Sequence, residues 1–154
     1  MAKSHKVWAS SFADPEDVRR FRKCKQDGGT DNDCFEVGDN GVGLWDDDVS
    51  QGSGPACALP PEVMEYYFGA TAVNKWREAR GKLISVNLVG SDHIVAIAIK
   101  DRMPHIITLE NKGSKYRIDL NPDAVAALGK VPHNFEELVV WRKAVTGEAV
   151  TTND

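Results

Sequence analysis

Ile118-Asp119-Leu120-Asn121-Pro122-Asp123-Ala124-Val125-Ala126-Ala127-Leu128-Gly129 reads as the end of a β-strand that turns directly into a helix. Asn121 can accept hydrogen bonds from orphan backbone N–H groups, and Pro122 suits the first helical position, where no N–H is needed. Val125 and Leu128 then fall on one helical face, and Gly129 supplies the C-terminal stop. The carboxylate of Asp119 is thereby fixed at a strand end, immediately before a helix. Upstream stands a compact turn, Asp101-Arg102-Met103-Pro104, and before it a β-rich region.

That region contains Leu83-Ile84-Ser85-Val86-Asn87-Leu88-Val89 and His93-Ile94-Val95-Ala96-Ile97-Ala98-Ile99, two β-branched runs separated by Gly90-Ser91-Asp92, a hairpin signal. Ile94, Ile97 and Ile99 do not alternate strictly, which suggests a strand buried on both faces or a barrel bend. Leu138-Val139-Val140-Trp141 supplies a closing strand. Further upstream, Ala56-Cys57-Ala58-Leu59 reads as a small-residue strand, and Pro60-Pro61-Glu62 opens a helix that Gly69 stops. Val42-Gly43-Leu44-Trp45 is expected as another short strand after the turn Asp39-Asn40-Gly41. Asp14-Pro15-Glu16-Asp17 begins a helix running to about Gln26, with Val18 and Phe21 on its apolar stripe and Arg19, Arg20, Arg22, Lys23 and Lys25 making it basic. Thr30 with Asp33 forms a candidate capped turn.

The chain has 154 residues, of which 42% are hydrophobic and 27% charged, in keeping with one globular domain. A formal net charge of −4 disfavours nucleic acid, whose binding needs a concentrated Lys/Arg face. No window approaches the roughly 18 apolar residues of a membrane span, and Met1 to Phe12 lacks the apolar run of a secretory leader, so no membrane insertion is expected. Cys24, Cys34 and Cys57 have no zinc-ligand spacing, and no metal or cofactor is expected. Either Cys24 and Cys34 form a disulfide with Cys57 buried and free, or the three thiols share no role, and the second is the default.

The order of three elements resembles the double-psi β-barrel proteins of cell walls: the rare-lipoprotein-A-like lytic transglycosylases, the N-terminal domains of expansins and the family-45 endoglucanases. The elements are the glycine-lysine strand Gly81-Lys82-Leu83-Ile84-Ser85-Val86, the turn Asp101-Arg102-Met103-Pro104 and the junction Ile118-Asp119-Leu120-Asn121-Pro122. The match covers about half the chain well. It implies a mainly β fold, a six-stranded double-psi β-barrel over residues 38–150 with short helical insertions; residues 1–37 lie outside the resemblance and read as an N-terminal helical extension. It also implies a partner, peptidoglycan or another polysaccharide, and action outside the cell or at the wall. Oligomeric state is left open.

Glycoside cleavage needs a proton donor for the leaving oxygen and, in inverting enzymes, a second carboxylate that activates water. By the resemblance Asp119 is the first candidate for the acid, its alternative role being a helix cap. Asp101 matches the aspartate of the turn and is its expected neighbour, or else a residue that merely holds the turn. Trp45-Asp46 resembles the element that carries the base in family-45 enzymes, so Asp46 is the candidate base. The run Asp46-Asp47-Asp48 is equally a solvated loop, and with Asp39 it makes a poor calcium site because no D-x-D-x-D-G loop is present. Trp45 and Tyr116 are expected as groove aromatics, Trp141 as core, and Arg102 and His105 as substrate contacts beside the turn. The histidine that transglycosylase-like members carry before the glycine-lysine strand is absent, Cys57-Ala58-Leu59-Pro60 standing there instead, and Met103 replaces a glycine. Two other functions stay open: a non-catalytic, expansin-like glycan-binding module, and a phage or virion interaction protein.

Overall fold

The computed structural model describes residues 3–105 and 117–144. Its elements in chain order are β1 (Ser4–Ser11), α1 (Pro15–Gln26), α2 (Asp31–Phe35), β2 (Ala56–Leu59), α3 (Pro61–Phe68), β3 (Leu83–Leu88), β4 (Val95–Arg102), β5 (Ile118–Leu120), α4 (Pro122–Ala127) and β6 (Glu136–Lys143), with two 3₁₀ turns, Ala72–Asn74 and Arg77–Ala79, between α3 and β3. The six strands close into a barrel in the order β1-β5-β2-β4-β3-β6. The protein is thus mainly β, with a few short helices outside the barrel wall.

Local chemistry sets most of these elements. Asp14 caps α1 by accepting from Glu16 N, Thr30 and Asp33 form a reciprocal capping box on α2, and Asn121 caps α4 by accepting from Ala124 N. Gly69, at φ 67°, ends α3 in the left-handed region that favours glycine. Val7 and Ala9 of β1 and Val95, Ile97 and Ile99 of β4 alternate into the barrel, where they meet Leu59, Ile84, Val86, Ile118, Leu120, Val139 and the fully buried Trp141. Met64 of α3 and Val125 of α4 join the same core.

Three expectations need correction. Ser4–Ser11 is not part of a helical extension: it is a barrel strand, parallel to β5 and antiparallel to β6. Its short alternating pattern becomes a strand through long-range pairing. Val42–Trp45 makes only one isolated bridge, Val42 to Asp48, within a turn. In β4 the alternation is strict from Val95 to Ile99, and the irregularity comes later, where the β2 register shifts from Cys57↔Ile99 to Ala58↔Asp101.

The barrel has an internal two-fold pattern. Exchanging β1, β2 and β3 for β4, β5 and β6 returns the same set of neighbours with the same directions: β1-β5 and β4-β2 are both parallel, β1-β6 and β4-β3 both antiparallel. The antiparallel pairs β2-β5 and β3-β6 map onto themselves. Hydrogen bonds follow it, since Phe12 N donates to Leu120 O at 3.0 Å and Met103 N to Leu59 O at 2.9 Å. So does the sequence, because Ala58-Leu59-Pro60-Pro61 and Asp119-Leu120-Asn121-Pro122 each end a strand and open a helix.

Candidate functional site

Asp119 lies between Ile118 and Leu120, both fully buried in the core, so strand alternation turns its carboxylate to the outer face of the barrel. Asp101 arrives on that face by a different route. Continuing the alternation of Val95, Ile97 and Ile99 would point it inward. The register shift leaves Lys100 as the extra residue of a bulge and pairs Asp101 with Ala58, which itself faces outward. Re-aiming a side chain in this way is a common role of β-bulges.

The registers Ser10↔Asp119, Asp119↔Ala58 and Ala58↔Asp101 then make one row across four neighbouring strands. In that row a small alanine separates two carboxylates. Buried Met103 and part-buried Phe12 pack on Ala58. Both carboxylates also act on the buried Cys57 thiol: burial pushes it up, and the negative charges of Asp119 and Asp101 add to the effect.

The two acids have different surroundings. Burial pushes the carboxyl of Asp101 up to about 6; the backbone N–H of Arg102, at 2.8 Å, opposes the shift, as does that of Leu44, while the charge of Asp39 adds to it. Asp119 accepts a hydrogen bond from Ser10 Oγ at 2.5 Å. Ser10 Oγ in turn lies 3.3 Å from Arg117 Nε, and Arg117 pairs with Glu136 at 2.9 Å.

The loop from Gly38 to Asp48 presses on Asp101. A Cβ on Gly43 would stand 2.0 Å from Lys100 O, and one on Gly38 2.1 Å from Asp17 O, so these close approaches require glycine. Asp39, held in this loop by accepting from Gly41 N at 2.7 Å, has its carboxyl raised by burial, the opposing Gly41 N–H outweighed, with a further contribution from Asp17.

The remaining candidates fall in other places. Trp45 is buried at 7% exposure and donates its indole N–H to Lys75 O at 2.7 Å, so it fills the core rather than offering a face to sugar. Asp46 is exposed with φ 66° and acts on Arg80, at the β3-β4 side of the barrel. The next residue, Asp47, accepts from Arg80 Nε and Nη2, each at 2.9 Å, and lies 3.7 Å from Lys100. The triple aspartate is therefore a loop anchor at Asp47 with two exposed members, Asp46 and Asp48, and Asp119 stands across β2 from it. Arg102 stacks over the Trp76 ring at 4.7 Å, and His105 Nδ1 lies 3.2 Å from Glu62 Oε2. Tyr116 lies outside the described residues. Trp141 is fully buried, as expected of core.

Two residues of this site escaped the sequence reading. Ser10 was obscured by the assignment of residues 1–37 to an extension, although the alternation of Val7 and Ala9 was available. Asp39 reads as an ordinary turn residue, and only the folded loop brings it to Asp101. Among the described residues no group of three or more His, Cys, Asp or Glu is arranged to hold a metal ion, and no helix is long and apolar enough to cross a membrane. Cys24 and Cys34 form a disulfide that links α1 to α2, and Cys57 is free and buried. No protein-family model and no curated protein matches the chain.

Proposed function

We propose that this is a double-psi β-barrel enzyme that cleaves glycosidic bonds of a wall polysaccharide, peptidoglycan or a β-glucan. The observation that carries this reading is the outer-face row in which Asp119 and Asp101 flank Ala58. Two strand spacings of about 4.8 Å put their Cα atoms about 10 Å apart. Side chains of that length can bring the carboxyl groups into the separation of roughly 6.5–9.5 Å used by inverting enzymes. The two-fold exchange of strand triplets, each half holding a strand that runs into a proline-led helix, supports the double-psi assignment.

Roles follow from environment. Asp101, raised to about 6, is the better proton donor, because it keeps its proton into the mildly acidic range. Asp119, which receives the Ser10 hydroxyl, serves as the anionic partner that activates water or stabilises positive charge at the sugar. This exchanges the roles the resemblance implies. The Cys24–Cys34 disulfide supports action in an oxidising compartment, outside the cell or at the wall.

The test is product release from purified sacculi and from soluble β-glucans, followed by chromatography. Wild type should release oligosaccharides, and Asp101→Asn and Asp119→Asn should each lose at least about a hundredfold in rate. No release from wild type, or undiminished release from both variants, rejects the proposal. One observation favours a second reading, an expansin-like binding module: Met103 and Phe12 form an apolar cluster with Ala58, the residue between the two acids in the row. Binding to insoluble glycan without product release would select it.

A further inference from the structure

Beside the carboxylate row lies a polar cleft of about 360 Å³, between the entry to α1 and the segment before β6. Ser10, Asp14, Arg20, His133 and Glu136 are among the side chains that line it. Ser10 belongs to both places, since its hydroxyl donates to Asp119, so the cleft continues the row rather than standing apart from it. Its volume falls within the roughly 300–1,000 Å³ of small-molecule sites.

The polar groups of this wall come in pairs. Arg20 holds Asp17, Arg117 holds Glu136 at 2.9 Å, and His133 Nδ1 lies 3.1 Å from Asp14 Oδ2. Asp14 is buried at 7% exposure and spends its other oxygen on the α1 cap, so it fixes the His133 ring from below. A wall of hydroxyls, two compensated ion pairs and a hydrogen-bonded imidazole–carboxylate pair offers both donors and acceptors. That is the chemistry of an uncharged, polyhydroxylated ligand, whose hydroxyls both give and accept hydrogen bonds.

We infer that this cleft is a second sugar subsite, which binds an uncharged sugar unit of the glycan chain whose scissile bond lies over Asp119 and Asp101. The inference rests on the proposed glycan-cleaving function of that row. It adds a direction, because the chain must run from the row past Ser10 towards His133, and it gives a role to α1, which lies outside the family resemblance.

The experiment is isothermal titration calorimetry of the full chain, as wild type, His133→Ala and Glu136→Gln, with cello-oligosaccharides and chito-oligosaccharides of two to six units. Wild type should gain about tenfold in affinity at the length that first reaches the cleft, the worth of one or two hydrogen bonds. Both variants should lose that gain while binding the shortest ligands as wild type does. His133 is 65% exposed in its side chain and Glu136 58%, so both variants should fold, which circular dichroism checks. A length dependence unchanged in both variants overturns the subsite and leaves the glycan reading standing. Absence of binding by wild type at every length, together with no product release, overturns both.

Discussion

Replacing Asp101 with asparagine should stabilise the protein at neutral pH while removing the proposed acid. The folded state holds this carboxyl at about 6, against an ordinary value of 3.8. A folded value above the unfolded one means that the native state binds more protons between the two, so stability is greatest at low pH and falls as pH rises from about 4 through 6. A difference of about two pK units corresponds to about 3 kcal/mol at pH 7.5, with about 2 kcal/mol expected in practice because the group retains partial solvent contact. Asparagine has nearly the same shape, keeps an oxygen for the Arg102 and Leu44 N–H groups, and carries no charge to desolvate.

The assay is urea unfolding of wild type and Asp101→Asn at pH 4 and pH 7.5, analysed by linear extrapolation. The difference in stability between variant and wild type should be more favourable to the variant at pH 7.5 than at pH 4, by about 2 kcal/mol. This double difference cancels the titration of every other group that the substitution does not touch. Equal differences at the two pH values would refute the assignment of a raised, burial-dominated carboxyl to Asp101. A gain in stability accompanied by loss of activity would match the usual opposition between the two at functional sites.

Other outcomes follow from single contacts. Asn121 is fully buried and makes four hydrogen bonds, accepting from Ala56 N and Ala124 N and donating to Val49 O and Gly54 O; Asn121→Ala should cost about 3 kcal/mol or more in denaturant unfolding, and Asn121→Asp should recover only the acceptor half. Gly43→Ala should cost about 1–3 kcal/mol in the same assay, because its Cβ would stand 2.0 Å from Lys100 O, and it should also shift the Asp101 resonances in NMR titration. Reducing Cys24–Cys34, ten residues apart, should lower stability by about 2.5 kcal/mol, measured by unfolding with and without a reductant.

The parts of the fold that were legible are those fixed within a few residues. The caps at Asp14, Thr30 and Asn121, the stop at Gly69 and the hairpin around Gly90 each need only neighbouring backbone groups, and each stands where the residues implied. The parts that were illegible depend on distant partners. Ser4–Ser11 becomes a strand because β5 and β6, more than a hundred residues away, supply its hydrogen bonds. Trp45 looked like a groove aromatic because it precedes acids, yet the backbone of Lys75 and the barrel core claim it. The three aspartates after it cannot be told apart by type, and Arg80, 33 positions from Asp47, decides which one is anchored.

For the candidate site the division is the same. Sequence by itself determined that Asp119 ends a strand before an asparagine-capped helix, since Asn121 and Pro122 impose that geometry locally. Asp101 could be named from its motif, but its face could not, because a one-residue bulge reverses the direction of every side chain beyond it and leaves no mark in residue type. Tertiary structure alone decided that Asp101, Ala58, Asp119 and Ser10 share a row, that Asp39 adds its charge there, and that α1 walls a cleft at the row's end. Local hydrogen bonding sets where a strand stops and a helix starts, whereas strand pairing across the closed barrel sets which carboxylates face each other.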